Sequence, residues 1–348
     1  MKNVTKKTTQ NKASQTSSLF VAKDESEKYF EGVVGQPRAK RELGFYLENH
    51  LKSGSVIPNL LFTGSKGDGK THLARKFARN LPDVQDPSRK NKAFYAFNGG
   101  AILNPTILLE DILSRVQDQY CTIFIDEAHG LPPKVQTVLL TILETTRTHH
   151  TTYTFNDIEY RFDFKKITFI FATTEENKIF HALRDRLVTL SLEPYKEKEL
   201  AEIIEITVDG SMTFEDDMLE ELSRYVRRNA RSATRVAENA LSFNTPVFQK
   251  KHFETIKEKL NLFPHGVTHN EIRALRTLEA DGECALGHLA SRLAQSPGAV
   301  QKEVEPYLIS MGYLEIDGKR RITPKGRDFL KFIGQSTVPE HIVAPDLA

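Results

Sequence analysis

The glycine-rich loop at 64–71 constrains the fold of this chain more than any other feature, because it fills the pattern GxxxxGK[ST] at every fixed position. The apolar run 59–62 before it predicts a buried strand, and Leu73, Phe77 and Leu81 after it have helical spacing. In the order strand, loop and helix, backbone N–H groups and a helix N-terminus converge on a phosphate. The alternative is a glycine-rich turn that binds no ligand, which would leave the full match to the pattern unexplained.

Each position of the loop has an expected contact with ATP. Lys70 reaches the β- and γ-phosphates, and the Thr71 hydroxyl holds Mg²⁺. The residues expected to line the nucleotide are Gly64, Ser65, Lys66, Gly67, Asp68, Gly69, Lys70, Thr71 and His72.

A second apolar run, 120–125, ends in the acidic pair Asp126-Glu127. An ATPase with a phosphate-binding loop of this kind needs two carboxylates at the carboxyl end of a buried strand. We expect Asp126 to position Mg²⁺ through water and Glu127 to polarise the attacking water. The pair alone is weak evidence, but together with the loop it predicts ATP hydrolysis. We attach no separate meaning to Ala128-His129.

Composition excludes several classes of protein. The chain has 348 residues, 27% of them charged, and a net charge of only +2, so any basic surface must be local. Two cysteines, Cys121 and Cys284, form no metal or disulfide pattern. No apolar stretch approaches the roughly 18 residues of a membrane span. We therefore expect a cytoplasmic protein without a membrane segment.

The order of the patterns predicts an α/β P-loop domain with a parallel sheet, then a small helical lid domain and a C-terminal winged-helix domain. A generic helical cap is the alternative to the winged helix. The expected divisions are a disordered basic tail at 1–28, the nucleotide-binding domain at 29–194 with an inserted β-hairpin at 151–164, the lid at 195–261, the winged helix at 262–335 and a tail at 336–348.

Polar residues further along the chain are candidates for sensing the nucleotide. The strand at 167–172 runs into Thr173-Thr174. These threonines either approach the γ-phosphate or form hydrogen bonds with the backbone of their own turn. Arg184 and Arg186 are either surface charges or an arginine finger for a neighbouring subunit. Arg235, near the start of a helix in the lid, can return to the phosphates. Taken singly, each arginine is best explained as a surface charge. Taken together in this order, the arginines are better explained as contacts with nucleotide.

The predicted wing of the winged helix is basic. Six positive side chains lie within residues 319–331: Lys319, Arg320, Arg321, Lys325, Arg327 and Lys331. On a wing they predict contacts with DNA phosphates that do not depend on sequence, foremost at Lys319, Arg320 and Arg321. A solvated run of charge is the alternative.

These segments together resemble the AAA+ ATPases, and more closely the RuvB family of Holliday-junction branch-migration motors. The matching segments are 33–36, the phosphate loop, 124–129, 172–174, 183–186, 232–235 and, most specific, 305–314. The resemblance implies a homo-hexameric ring that moves duplex or junction DNA, with ATP and Mg²⁺ between subunits. By matched position Thr174 is the first sensor, Arg186 the finger acting in trans and Arg235 the second sensor. Tyr195 is then expected beside the adenine.

The resemblance also assigns surfaces, and the chain departs from the family in places. The hairpin at 151–164 occupies the place where the family docks on its junction-binding partner RuvA, and the wing touches the DNA backbone. Ser65 and Lys66 replace two prolines, and Glu175 replaces a basic residue after the sensor threonines. A DNA-binding ATP switch, such as a helicase loader or a replication initiator, is the second functional hypothesis.

Overall fold

The computed structural model describes residues 25–83, 91–116, 119–144 and 150–335. The predicted C-terminal tail and most of the predicted N-terminal tail lie outside these residues. A 3₁₀ helix at Glu25–Phe30 places regular structure within the last part of the predicted N-terminal tail.

A five-stranded parallel sheet forms the centre of the first domain, in the order β2-β3-β6-β1-β7. Its strands are β1 (Leu60–Thr63), β2 (Ala93–Asn98), β3 (Cys121–Asp126), β6 (Ile167–Thr173) and β7 (Val188–Ser191). Strands β1 and β6 are buried at every position, as continuous apolar runs in a sheet covered on both faces should be. The predicted parallel sheet is confirmed.

Helices cover both faces of this sheet. They are α1 (Pro37–Ser53), α2 (Lys70–Ala78), α3 (Pro133–Ile142) and the short α4 (His181–Arg184). One apolar core joins α1 and α2 to the sheet, with Leu43, Phe62 and Phe77 fully buried. The other core packs α3 and a π-helical segment, Ile107–Ile112, on the opposite face.

The predicted β-hairpin is present as β4 (His150–Phe155) and β5 (Ile158–Asp163). Asn156 and Asp157 both have positive φ, the geometry that a two-residue hairpin turn requires. Tyr160 and Phe162 are buried in the core beneath α3, so one face of the hairpin is anchored and the other is exposed.

The lid follows the sheet and has its own core. It consists of α5 (Glu197–Val208), β8 (Thr213–Phe214), α6 (Met218–Arg224), α7 (Ala230–Leu241), β9 (Val247–Phe248) and α8 (Lys250–Lys259). Leu200 and Ile204 of α5 pack with Ala233 and Ala237 of α7, where small side chains allow the two helices to approach closely.

The last domain has the helices and the hairpin of a winged helix. Its elements are α9 (His269–Asp281), α10 (Leu286–Leu293), α11 (Pro297–Ala299), α12 (Glu305–Ser310), β10 (Leu314–Asp317), β11 (Lys319–Ile322) and α13 (Pro324–Gln335). A π-helical turn, Val300–Val304, joins α11 to α12. Pro306 has no N–H for the helical ladder there, which explains why the helical segment from Pro297 to Ser310 is interrupted.

In the described part of the chain, no helix is both long and apolar enough to cross a membrane.

Candidate functional site

The phosphate loop connects β1 directly to α2, as its sequence predicts. Gly64, Gly67 and Gly69 all have positive φ, and Gly69 is the N-cap residue of α2. A Cβ added at Gly67 would lie 2.7 Å from Oδ1 of Asn229, so the lid approaches the loop too closely for any side chain. The first helical turn of α2 presents its N–H groups beside the loop.

Lys70 is buried at the start of α2, and its ammonium folds back over the loop. Its Nζ donates hydrogen bonds of 2.8 Å to the carbonyl oxygens of Gly64 and Ser65. Burial lowers the pKa of Lys70, while the carboxylates of Asp68, Glu127 and Asp126 oppose that change. Such an ammonium can exchange carbonyl oxygens for phosphate oxygens, which make stronger charge-assisted bonds.

Thr71 and Asp126 meet across the end of the sheet. The Thr71 hydroxyl donates to Oδ2 of Asp126 at 2.7 Å, and Oδ1 accepts the N–H of Glu127 at 2.9 Å. The two residues therefore present adjacent hard oxygens, the ligands that Mg²⁺ prefers. In the described ranges no group of three or more His, Cys, Asp or Glu residues forms a metal cage. A Mg²⁺ ion that also binds phosphates and water needs no such cage.

Glu127 stands in a strained turn immediately after β3. Its φ of 49° and ψ of 47° are left-handed values that few residues other than glycine adopt. Gly99 packs against this turn, since an added Cβ would lie 2.6 Å from the carbonyl oxygen of Glu127. The segment at Gly99 thus supports the turn that holds Glu127.

Strand β6 brings its last residue, Thr173, and the following Thr174 to the same place. Thr174 Oγ1 donates to Oε2 of Glu127 at 3.4 Å. Thr173 is fully buried, and its hydroxyl lies 3.1 Å from Nδ1 of His129. The structure therefore joins the candidate sensor strand to Glu127, with His129 as an additional member that the sequence did not indicate.

The lid closes the other side of a cleft of about 660 Å³. Predicted residues that line this cleft are Lys66, Gly67, Gly69, Lys70, Thr71, His72, Asp126, Glu127, Tyr195 and Arg235. Tyr195 is buried, and its hydroxyl donates to the carbonyl oxygen of Asp68 at 3.3 Å. Arg235 is exposed on α7 and faces the cleft.

One end of the cleft is apolar and suits a base. Val33, Val34, Ile203 and Ile206 line it, and Ile206 remains 48% exposed. These residues come from the segment before α1 and from α5, so both the first domain and the lid contribute to the apolar lining.

Arg186 does not line the cleft of its own chain. Its Nη1 donates to the carbonyl oxygen of Leu140 at 2.6 Å, and its Nη2 lies 3.9 Å from Glu144. Gly64, Ser65, Asp68 and Thr174 also fall outside the cleft lining, although the first three belong to the loop and Thr174 contacts Glu127.

On the wing, the structure corrects the prediction for Arg320. This side chain points into the domain, where its Nε lies 2.8 Å from Oε1 of Glu305, and both residues are buried. The charge is neutralised inside the domain and cannot serve as a surface contact for DNA. Lys319 and Arg321 are exposed, although Arg321 pairs with Glu315 at 2.7 Å.

The sequence did not predict the surroundings of three residues near the nucleotide cleft. Asp68 is 2% exposed with Oδ2 unpaired in the described structure, and burial raises its pKa to about 6. Asn229 caps α7 by accepting the N–H of Ser232 at 2.9 Å. An Asn before an apolar helix is a recognisable capping signal, whereas the contact of His129 depends on the order of the strands.

Comparisons with known proteins agree with this geometry. The family model described as "Holliday junction DNA helicase RuvB P-loop domain" matches residues 26–192. The family model described as "RuvB C-terminal winged helix domain" matches residues 264–331. Together the two models cover about two thirds of the chain.

Relatives match over nearly the whole chain. The Holliday junction branch migration complex subunit RuvB of Neorickettsia sennetsu is 25% identical over 326 residues, which cover 90% of this chain and 94% of that protein. The corresponding subunit of Campylobacter lari is 29% identical over 317 residues, covering 87% and 90%.

A solved structure extends the agreement to the fold. The Thermotoga maritima RuvB Holliday junction branch migration motor superimposes with a TM-score of 0.69 at 25% identity, covering 86% of this chain and 95% of that one. The overall fold is therefore shared, and the P-loop domain and the winged helix match the models of this family in this order. The chain belongs to the RuvB family.

Proposed function

We propose that this protein is an ATP-dependent DNA motor of the RuvB type, which works as a hexameric ring on duplex DNA and drives branch migration of Holliday junctions. The observation that carries the proposal is the cleft between sheet and lid. It brings Lys70, Thr71, Asp126, Glu127 and Arg235 together in a chain that also has a winged helix. A protein that couples ATP hydrolysis to movement along DNA needs both parts.

The residues of the cleft fit a nucleoside triphosphate with Mg²⁺. Lys70 and the loop N–H groups bind the phosphates, and the apolar end of the cleft accepts the base beside Tyr195. Thr71 and Asp126 offer their oxygens, 2.7 Å apart, to the metal ion. When bound, Mg²⁺ neutralises charge on the phosphates.

Glu127 supplies the next step. Its carboxylate orients a water molecule and accepts its proton as the water attacks the γ-phosphate. Thr174, bonded to Oε2 of the same carboxylate, fixes its orientation. Arg235 approaches from the lid and stabilises the charge on the departing phosphates. Arg186 is assigned to the nucleotide of the neighbouring subunit, since it faces α3 in its own chain.

The hairpin β4–β5 is the proposed docking surface for a RuvA-like protein. Its inner face is anchored by Tyr160 and Phe162, while Ile158 at the tip is 50% exposed. The hairpin therefore presents an exposed face and tip to a partner, while its other face stays fixed in the core.

A strand-displacement assay on a four-way junction tests the proposal. With ATP, Mg²⁺ and the junction-binding partner, the chain is expected to convert the junction into two forked duplexes in repeated cycles. Lys70→Ala should lose nucleotide binding, whereas Glu127→Gln should bind ATP and fail to hydrolyse it. A single hydrolysis event per DNA loading, with no displacement, would instead support the helicase-loader hypothesis.

A further inference from the structure

Glu175 follows the sensor threonines in the turn after β6, and its carboxylate approaches the imidazole of His129. Its Oε1 lies 3.4 Å from Nε2 of His129, and its Oε2 lies 2.8 Å from Nζ of Lys178. The hydrogen bond with Lys178 is the main cause that lowers the pKa of Glu175. A carboxylate acceptor therefore stands beside Nε2 of the ring, within reach of a hydrogen bond donated from that nitrogen.

The opposite edge of the same ring faces the catalytic turn. Its Nδ1 lies 3.1 Å from Oγ1 of Thr173 and 3.3 Å from Oε2 of Glu127. The Thr174 hydroxyl donates to the same Oε2 at 3.4 Å. In the described ranges no hydrogen bond engages Oε1 of Glu127, which leaves that oxygen to accept a proton from water.

We propose that Glu175 is a positioning residue for ATP hydrolysis: the His129 ring, with a proton on each nitrogen, donates from Nε2 to Glu175 and from Nδ1 to Oε2 of Glu127, and so holds Glu127 with Oε1 directed to the attacking water. This role rests on the proposed function, because it requires Glu127 to activate water. Glu175 acts through His129 and does not itself touch the substrate.

The turn does not depend on the Glu175 side chain for its shape. The backbone N–H of Glu175 donates to Oγ1 of Thr173 at 3.0 Å, and its carbonyl oxygen accepts the N–H of Lys178 at 3.2 Å. The Glu175 side chain is 44% exposed, so its replacement should leave the folded state intact. A loss of activity in such a variant therefore reports on positioning.

Steady-state hydrolysis separates positioning from binding. We expect Glu175→Ala to lower kcat by about tenfold and to leave KM for ATP within about twofold, because only the orientation of the water is disturbed. Glu175→Gln keeps an acceptor oxygen at the same place and should retain most of kcat. The thermal midpoint of both variants should equal that of the unaltered chain.

A double-mutant cycle tests the route through the ring. His129→Asn has no counterpart of Nε2, so adding Glu175→Ala to it should cause little further loss. Asp281→Asn is the matched control, since it removes another carboxylate from a histidine, His288, at 2.8 Å and far from the cleft. This control should leave hydrolysis unchanged.

The outcomes distinguish a failure of the positioning role from a failure of the proposed function. If the unaltered chain hydrolyses ATP and Glu175→Ala has its full kcat, the positioning role is wrong and the proposed function stands. The role is equally overturned if Glu175→Ala costs as much in the His129→Asn background as alone. If the unaltered chain hydrolyses no ATP, the proposed function fails and the positioning role fails with it.

Discussion

Arg227, between α6 and α7, binds Glu271 of α9 with both terminal nitrogens of its guanidinium, Nη2 2.8 Å from Oε1 and Nη1 3.2 Å from Oε2. The guanidinium carbon also lies 3.6 Å from the ring centre of Tyr307. Two residues further on, Asn229 reaches the phosphate loop at Gly67. One short loop therefore touches both the nucleotide site and the winged domain.

Arg227→Ala should destabilise the protein, because Glu271 is fully buried and would lose its charged partner. Removing one member of a buried ion pair costs about 3–5 kcal/mol, and we expect the low end since Arg227 is partly exposed. Urea denaturation measures the loss. Arg224→Ala, which breaks the exposed pair with Glu221, is the control and should cost under about 1 kcal/mol. Equal losses in the two variants would contradict this account of the pair.

The wing should contact DNA through Lys319 and Arg321 and not through Arg320. Reversing the charge at Lys319 or Arg321 should weaken binding similarly on unrelated DNA sequences and flatten its salt dependence. Arg320→Ala should instead lower stability, because it leaves the buried carboxylate of Glu305 without its charged partner. Fluorescence anisotropy at several salt concentrations, beside thermal unfolding, distinguishes these effects. A stable Arg320→Ala protein with lost DNA affinity would refute the correction.

Asp68 should make stability depend on pH. Burial raises its pKa from 3.8 to about 6, so the folded chain keeps a proton that the unfolded chain has lost in this range. The free energy of unfolding from this group therefore falls as the pH rises from about 4 to about 6 and stays low above. Asp68→Asn should raise the thermal midpoint at about pH 8 more than at about pH 4.5. Asp328→Asn, on an exposed carboxylate, should show no such difference.

Gly99→Ala should disturb the catalytic turn from a distance. The added Cβ would lie 2.6 Å from the Glu127 carbonyl oxygen and 3.1 Å from the Ala128 Cα, both of them backbone atoms. Overpacking of this kind costs about 1–3 kcal/mol, and kcat should fall because Glu127 moves. Gly287→Ala is the control, since within the described residues nothing lies within 4 Å of its Cβ. It should be neutral or slightly stabilising, and a wild-type kcat in Gly99→Ala would disprove the support role.

The sequence predicted those elements and residues that a local pattern determines. The apolar run before the phosphate loop and the acids after 120–125 are adjacent in sequence to the elements that place them, so β1, α2 and the Asp126-Glu127 pair followed. Contacts across the fold did not. His129 meets Thr173 only because β3 and β6 are neighbours. Arg320 was included in a basic run because sequence does not show that Glu305 lies beneath it.

Arg186 provides the sharpest test of a shared active site. In its own chain the guanidinium is bonded to the carbonyl oxygen of Leu140 and lies outside the cleft lining, so we expect it to serve the next subunit. Arg186→Ala alone should abolish most hydrolysis, as loss of an arginine finger costs about 10³–10⁵ in rate. Arg184→Ala, whose guanidinium is held by Glu176 at 3.0 Å, is the matched control and should retain activity.

Mixing two inactive proteins decides between action within and between chains. Glu127→Gln keeps Arg186 but cannot hydrolyse the ATP in its own cleft, whereas Arg186→Ala keeps an intact cleft. If the finger acts in trans, a mixed head-to-tail ring contains complete sites at about a quarter of its interfaces, and hydrolysis returns in proportion. If Arg186 acts on the nucleotide of its own chain, every subunit in the mixture lacks one essential group and hydrolysis stays absent. Recovery of ATPase activity on mixing, measured against each variant alone, therefore tests whether neighbouring subunits share the site.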